Sequence, residues 1–213
     1  MLKAYKYRIY PNKEQRIYFA KTFGCVRFVY NQMLADRIKF YEENKELDIK
    51  KIKYPTPAQY KQEFHWLKEV DSLALANAQM NLNKAYKNFF RDKSVGFPKF
   101  KSKKNNYNNY TTNNQKGTVY IENSHIKLPK LKSMMKIKQH REFDGLIKSC
   151  TISQVPSGKY FVSILVDTEI VELPNVDNKI GVDLGIKEFA ITSDGDFFSN
   201  PKHLKKSEKR LAK

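Results

Sequence analysis

The hydrophobic period changes twice along this chain, and that change limits the fold more than any other feature. Lys3-Ala4-Tyr5-Lys6-Tyr7-Arg8-Ile9-Tyr10 alternates basic with aromatic or apolar residues, the pattern of a strand with one wet, cationic face. Pro11-Asn12 ends it, and a helix starts near Lys13. Apolar residues then recur at helical spacing as far as Arg91. Gly24 reads as a break between a first and a second helix. The second carries Val26, Val29, Tyr30, Met33, Leu34 and Tyr41 on one face, with Arg27, Asn31 and Arg37 off that stripe. After Pro55 and Pro57 a third helix carries Tyr60, Phe64 and Leu67. Asp71 or Ser72 caps a fourth, whose stripe runs from Leu75 through Ala78, Leu82 and Tyr86 to Phe90. Helices of this kind pack as a small bundle. Residues 93–117, rich in Lys, Asn, Tyr and Thr, show no period and read as loop. Short strands follow at Val119–Ile121, Ile126–Leu128, Met135–Lys138, Ile147–Gln154 and Lys159–Val166, with Pro156-Ser157-Gly158 as a hairpin turn. Such a run suggests a small barrel or sandwich, and the whole chain is α+β. Leu173-Pro174-Asn175 reads as a linker.

The segment Ile180–Gly195 reads as two apolar strands joined by a tight turn at Gly185 and closed by Asp194-Gly195. Asp183 is a carboxylate inside the first of them. A buried carboxylate is costly without a partner such as a cation, which points to a metal-held nuclease site. The histidines His65, His125, His140 and His203 have no second ligand at helical or turn spacing. Cys25 and Cys150 lack a C-x-x-C companion, suggest neither a disulfide framework nor a zinc site, and read as small buried hydrophobes in a reducing compartment.

Forty Lys and Arg against 22 Asp and Glu give 213 residues a net charge of +18. That charge repels itself unless a polyanion neutralises it, and nucleic acid rewards many spread cations through counterion release. Apolar residues make up 40% and aromatics 13%, too much for a disordered chain. No apolar run approaches the roughly 18 residues of a membrane span, and no signal-peptide core follows Met1.

Seven segments, in order, resemble the TnpB (OrfB) proteins of bacterial insertion sequences, compact relatives of the type V CRISPR effectors: YRIYPN at Tyr7–Asn12, GCVRFVYNQML at Gly24–Leu34, WLKEVDS at Trp66–Ser72, NKAYKNFFR at Asn83–Arg91, GFPKFK at Gly96–Lys101, IKLPKL at Ile126–Leu131, and Ile180–Gly195. The resemblance implies a split β-barrel, the wedge domain, with its first strand in 1–11 and the remainder in 93–173. It implies a helical, helix-turn-helix-like recognition lobe in 12–92, and the incomplete start of a RuvC-like, RNase H-fold nuclease in 178–213. It also implies a guide RNA, double-stranded target DNA beside a short transposon-adjacent motif, a bacterial or archaeal cytoplasmic setting near the nucleoid, and no membrane.

On the same resemblance Asp183 matches the first catalytic carboxylate, a ligand of Mg²⁺ or Mn²⁺ in a two-metal site. The family also needs a Glu and a second Asp much later. Glu188 and Asp194 are too close to Asp183 to be these, and the family's zinc ribbon with its paired cysteines is missing. The expectation is that this polypeptide alone does not cleave DNA, and that a second chain could supply the rest of the nuclease. Ser72, Leu73, Ala76, Thr112 and Asn113 match the positions that face the motif duplex. Lys3, Lys6, Arg8, Lys99, Lys101, Lys103 and Lys104 are expected to meet phosphates. Tyr107 and Tyr110, with Tyr5, Tyr7 and Phe97, are candidates for stacking, although the aromatics of the first strand are expected in the core. Arg27 and Asn31, after the expected break at Gly24, are placed near the heteroduplex, and the basic tail Lys202, Lys205, Lys206, Lys209 and Arg210 forms a helix. The leading function is an RNA-guided DNA endonuclease. A nuclease-dead repressor or split-enzyme subunit comes second. An actin-like ATPase is remote, because Ile186-Lys187 stands where its phosphate loop carries small hydroxyl residues.

Affinity for structured RNA should fall steeply with salt, by about 0.7–0.9 log units per log unit of salt for each phosphate contacted. A salt titration by fluorescence anisotropy checks this, and a flat response would remove the nucleic-acid reading.

Overall fold

The structure, a computed structural model, describes residues 1–44, 54–105, 108–169 and 177–212. It divides into two compact units, Met1–Ile170 and Val171–Lys213. Tyr107 and the linker Leu173-Pro174-Asn175 lie outside the described residues.

The first unit opens with strand β1 (Leu2–Tyr10) and helix α1 (Lys13–Glu43). Asn12 and Gln15 form a reciprocal capping box: Gln15 N–H donates to Asn12 Oδ1 at 2.9 Å, and Asn12 N–H donates to Gln15 Oε1 at 3.0 Å. The expected break at Gly24 is absent, and α1 runs unbroken for 31 residues. A glycine costs a helix about 1 kcal/mol. The buried stripe outweighs that penalty, because it continues on both sides of Gly24, through Phe19, Thr22 and Phe23 and on through Val26, Val29, Met33 and Leu34.

The expected third helix is shorter than its apolar spacing suggests. Helix α2 (Pro57–Glu63) stops at Phe64, and a 3-10 turn follows at His65–Glu69. Phe28, Phe64 and Trp66 form an aromatic cluster there, with Phe28 centroids 4.8 and 4.9 Å from the other two rings. The Tyr60 hydroxyl donates to the Asp36 carboxylate and ties α2 to α1. Helix α3 (Ser72–Arg91) is capped by Asp71, whose Oδ1 accepts from Leu73 N–H at 3.2 Å. Ala74, Leu75, Ala78 and Leu82 are buried, but the stripe does not stay covered: Phe90, at the far end, is exposed.

The strands are β2 (Asn108–Asn113), β3 (Tyr120–Glu122), β4 (His125–Lys127), β5 (Met135–Lys138), β6 (Leu146–Gln154) and β7 (Tyr160–Asp167). With β1 they form one antiparallel sheet in the order β2-β6-β7-β1-β5-β4-β3. The first strand of the chain therefore sits inside the sheet, between β7 and β5. The sheet curls as a half-barrel whose edges, β2 and β3, are not paired with each other. The small barrel or sandwich suggested by the strand pattern is thus an open, curled sheet.

Strand β2 lies in the segment read as loop. Its alternation is carried by only two side chains: Tyr110 and Thr112 point inward and are buried, while Asn109, Thr111 and Asn113 take the opposite parity. Tyr110 packs on Phe19 and Phe23 of α1, with centroids 6.2 and 5.8 Å away. Phe19 also meets Tyr160 of β7 at 5.8 Å. The core therefore lies between the inner sheet face and the helices. Glycine is required at Gly145, where φ is +121° and an added Cβ would stand 2.2 Å from the Asp167 carbonyl oxygen.

The second unit holds β8 (Val182–Asp183), β9 (Glu188–Thr192), β10 (Phe197–Ser199) and helix α4 (His203–Leu211). The sheet order is β10-β9-β8. Asp194-Gly195 makes the β9–β10 turn, with Gly195 at φ +89°. The sequence reading contained no third strand. Lys205, Lys206, Lys209 and Arg210 lie exposed on α4.

Burial raises the Cys25 thiol to about 11 and the Cys150 thiol to about 12. Neither should react with a disulfide reagent at pH 8 in the native protein, and both should react in denaturant. Ellman titration checks this. Replacing Thr112 with Val removes the hydroxyl that donates to the buried Asp71 carboxylate. It should destabilise the first unit by about 1–3 kcal/mol, read from the shift of the urea midpoint.

Candidate nucleic-acid interface

Pairing register decides which cations share a surface. Tyr7 and Ile9 point into the core, so Lys6, Arg8 and Tyr10 take the outer face of β1. Lys3 has the parity of Tyr5 and Tyr7, and its ammonium lies 5.5 Å from the Tyr5 centroid. It therefore stands on the opposite face from Lys6 and Arg8, at the exposed end of the strand. Arg8 faces Phe161 on one side and Lys138 on the other; Tyr10 faces Lys136; Lys6 faces Ser163. The Phe161 ring lies between the Lys6 ammonium at 5.1 Å and the Arg8 guanidinium at 5.6 Å. Beyond it, Ser163 faces Thr151, and Thr151 exchanges a 2.8 Å hydrogen bond with Thr111.

The outer face thus carries Lys6 and Arg8 at the Phe161 ring, with Lys138 and Lys136 on the next strand beside Arg8 and Tyr10. Among the described residues none of these four has a carboxylate partner. Asp167, at the end of β7, is already neutralised. Its hydrogen bond from Lys148, at 3.2 Å, and the Met1 ammonium hold its carboxyl below the usual range. Sequence reasoning missed Lys136, Lys138 and Phe161. The alternation Met135-Lys136-Ile137-Lys138 gives the two lysines one face, but only the sheet order brings that face beside Arg8.

A second cluster forms where α3 begins beside β2. The Lys61 ammonium donates to Ser72 Oγ at 2.6 Å. Asn77 donates to the Leu73 carbonyl at 2.8 Å and lies 3.4 Å from Asn113 Oδ1. Ser72 is exposed, and Leu73, Ala76 and Asn113 are half-buried, so four of the five expected readers share this corner with Lys61 and Asn77. Thr112 does not reach the surface. It is 0% exposed and its hydroxyl is held by Asp71, so as placed it has no group free to read a base. Tyr110, 2% exposed, is a core residue with no ring face open for stacking. Its position in a strand rather than a loop is the reason.

The third group follows α3. Asn31 grips the Lys101 backbone twice: its Nδ2 donates to the carbonyl at 2.9 Å, and its Oδ1 accepts from Lys101 N–H at 2.8 Å. The Lys101 ammonium sits 4.1 Å from the Tyr30 centroid, where desolvation lowers its pKa. Asn31 and Lys101, expected at nucleic acid, therefore first act on each other. Lys99, Lys103 and Lys104 are exposed, and Arg27 is half-buried on α1. Phe97 packs edge-on against Tyr86 and Phe89, with centroids 5.5 and 5.4 Å away. Tyr5 stacks on Phe143 at 5.1 Å, and the Tyr7 hydroxyl donates to the Arg141 carbonyl at 2.8 Å.

In the second unit Asp183 faces Ile191 and is exposed, not buried within an apolar strand. A strand of two residues at the edge of a three-stranded sheet gives it no cover. No group of three His, Cys, Asp or Glu residues suited to a metal ion occurs among the described residues. The donor set for Mg²⁺ or Mn²⁺ is not assembled here: Asp183 alone does not fit the ion. Among the described residues, no helix is long and apolar enough to cross a membrane.

Comparison with known proteins bears on this geometry. The helix-turn-helix domain model of the OrfB/IS605 proteins matches residues 1–46. Within that match the described residues form one strand and one uninterrupted helix. A Streptomyces pristinaespiralis protein named "Putative RNA-guided DNA endonuclease" is 31% identical over 99% of this chain and 53% of its own length. The Escherichia coli K12 protein "Putative RNA-guided DNA endonuclease InsQ" is 33% identical over 100% of this chain and 52% of its own. The chain thus spans about half the length of these curated relatives. "Virulence protein VsdF" of Salmonella dublin is 38% identical over 48% of this chain and 95% of its own. A cryo-EM structure of the Cas12f1–sgRNA–target DNA complex aligns over 100% of this chain and 60% of that one, at 11% identity and TM-score 0.39, too loosely to carry an argument. The similarity to the two named endonucleases extends along the whole chain, and the protein belongs to the TnpB (OrfB) family, matching the N-terminal portion of its longer relatives.

Proposed function

We propose that this chain is the nucleic-acid-holding part of an RNA-guided DNA endonuclease. The observation that carries the reading is the row Lys6, Arg8, Lys138 and Lys136, which stands on an open sheet face without carboxylate partners among the described residues. Phosphate-backbone binding needs such a surface, and the sign and spread of the +18 charge agree with it. In this reading the curled sheet is the wedge domain and its outer face holds a guide RNA. Lys3, Lys99, Lys103 and Lys104 add phosphate contacts from neighbouring surfaces. The helices form the recognition lobe. The corner of Ser72, Leu73, Ala76, Asn77 and Asn113 meets the motif duplex. Side-chain amides there offer both a donor and an acceptor, as reading an adenine edge requires, while Leu73 and Ala76 offer only apolar contact.

The second unit is read as the beginning of a RuvC-like nuclease, with Asp183 as one carboxylate of a metal site. No catalytic step is assigned to this chain, because Asp183 belongs to no group of three His, Cys, Asp or Glu suited to an ion among the described residues. The exposed place of Asp183 at the edge of its sheet favours a second reading, in which these 213 residues bind without cutting, as a repressor or as one subunit of a split enzyme.

Two measurements test the reading. Replacing Lys6, Arg8, Lys136 and Lys138 together with Ala should weaken RNA binding and reduce the salt slope by about one unit for each phosphate left without its cation. An unchanged slope would remove the sheet face from the interface. With Mg²⁺, RNA and duplex DNA in a single-turnover assay, the 213-residue chain should not cut. Cleavage abolished by Asp183→Ala would overturn the binding-only assignment.

A further inference from the structure

The loop Phe100–Ser102 does not lie flat on α1. Between them is a pocket of about 320 Å³, at the small end of the range for ligand sites. Phe23 and Val26, both buried, make an apolar floor, and Phe100, 55% exposed, makes an aromatic wall. Arg27, Ser102 and Asn109 bring a guanidinium, a hydroxyl and an amide to the rim, and no lining residue is acidic. The wall is fixed in advance: the two Asn31 hydrogen bonds and the stacking of the Lys101 ammonium on Tyr30 both hold the loop to α1. A site organised before its guest arrives loses less free energy on binding.

We propose that this pocket takes one unstacked base of a single nucleic-acid strand, a role that rests on the nucleic-acid reading above but goes beyond phosphate contact. An apolar floor with an aromatic wall does not suit a bare phosphate. A rim with Arg27 and neighbouring Lys99, Lys103 and Lys104 does not suit a cationic guest. A nucleobase meets every part: its face stacks on Phe100, its edge meets the Asn109 amide and Ser102 hydroxyl, and its phosphate lies toward Arg27. The volume admits a single nucleotide, so the base enters alone and the strand bends at that point.

Ultraviolet cross-linking of the full chain to short single-stranded RNA and DNA oligonucleotides, each carrying one 5-iodouracil, tests this. The expected result is an adduct mapped by mass spectrometry to Phe100, retained in Phe100→Tyr at the same position and lost in Ser102→Trp, which fills the pocket from an exposed position. Phe100→Ala should weaken binding about tenfold by removing one stacked base. An adduct with only one of the two strand types identifies the source of the base. Salt-sensitive binding of either strand without an adduct at Phe100, or with an adduct that Ser102→Trp leaves intact, overturns the pocket and spares the proposed function. Failure of both strands to bind overturns both.

Discussion

The Asp71 carboxylate is the joint on which the first unit depends. It is buried, and a buried carboxylate must find donors or lose far more than a hydrogen bond is worth. One oxygen takes the Leu73 N–H and starts α3; the other takes the Thr112 hydroxyl of β2. A single side chain thereby fixes where the helical insertion ends its turn and which face of the edge strand looks inward. Once Thr112 is inward, alternation sends Tyr110 onto Phe19 and Phe23, and turns Asn109, Thr111 and Asn113 outward. The corner where Asn77 meets Asn113 and the rim position of Asn109 both follow from that choice.

The same division runs across the rest of the sheet. Tyr7, Ile9, Ile137, Ile152, Val162 and Ile164 take the inner face of β1, β5, β6 and β7, where they are buried. Lys6, Arg8, Lys136 and Lys138 are left on the outer face, where antiparallel register sets Arg8 between Phe161 of β7 and Lys138 of β5 and sets Tyr10 beside Lys136. The cationic row is thus a by-product of core formation. Asp167, the acid at the far end of β7, pairs instead with Lys148 and the Met1 ammonium.

The second unit has a different balance. Among its described residues only Ala190 is buried, while Val182, Leu184, Ile186, Phe189, Phe197 and Phe198 are exposed. Three short strands with one buried side chain have almost no apolar core of their own. Asp183 belongs to this open sheet, so its exposure reflects the thinness of the unit.

Local signals in the sequence carried much of the secondary structure. Alternation over residues 3–10 identified β1, Pro11-Asn12 marked the start of α1 near Lys13, Asp71 or Ser72 the start of α3, and Pro156-Ser157-Gly158 the β6–β7 turn. Each rests on neighbours a few residues apart. Gly24 misled because helix propensity is a small local term that the packing of Phe23 and Val26 overrides. Strand β2 was hidden because its core residues are one Tyr and one Thr between asparagines, a pattern that gains meaning only against Phe19 and Asp71. The candidate surface divides the same way. The sequence alone established the cationic composition, the family resemblance and the residue types suited to nucleic acid. Tertiary structure alone decided that Tyr110 and Thr112 are interior, that Lys3 parts from Lys6, that Lys136 and Lys138 join Arg8, and that Asn31 holds Lys101. The physical reason is that strand parity fixes a face, but sheet order and register, set by contacts more than a hundred residues apart such as Arg8 with Lys138, fix what that face meets.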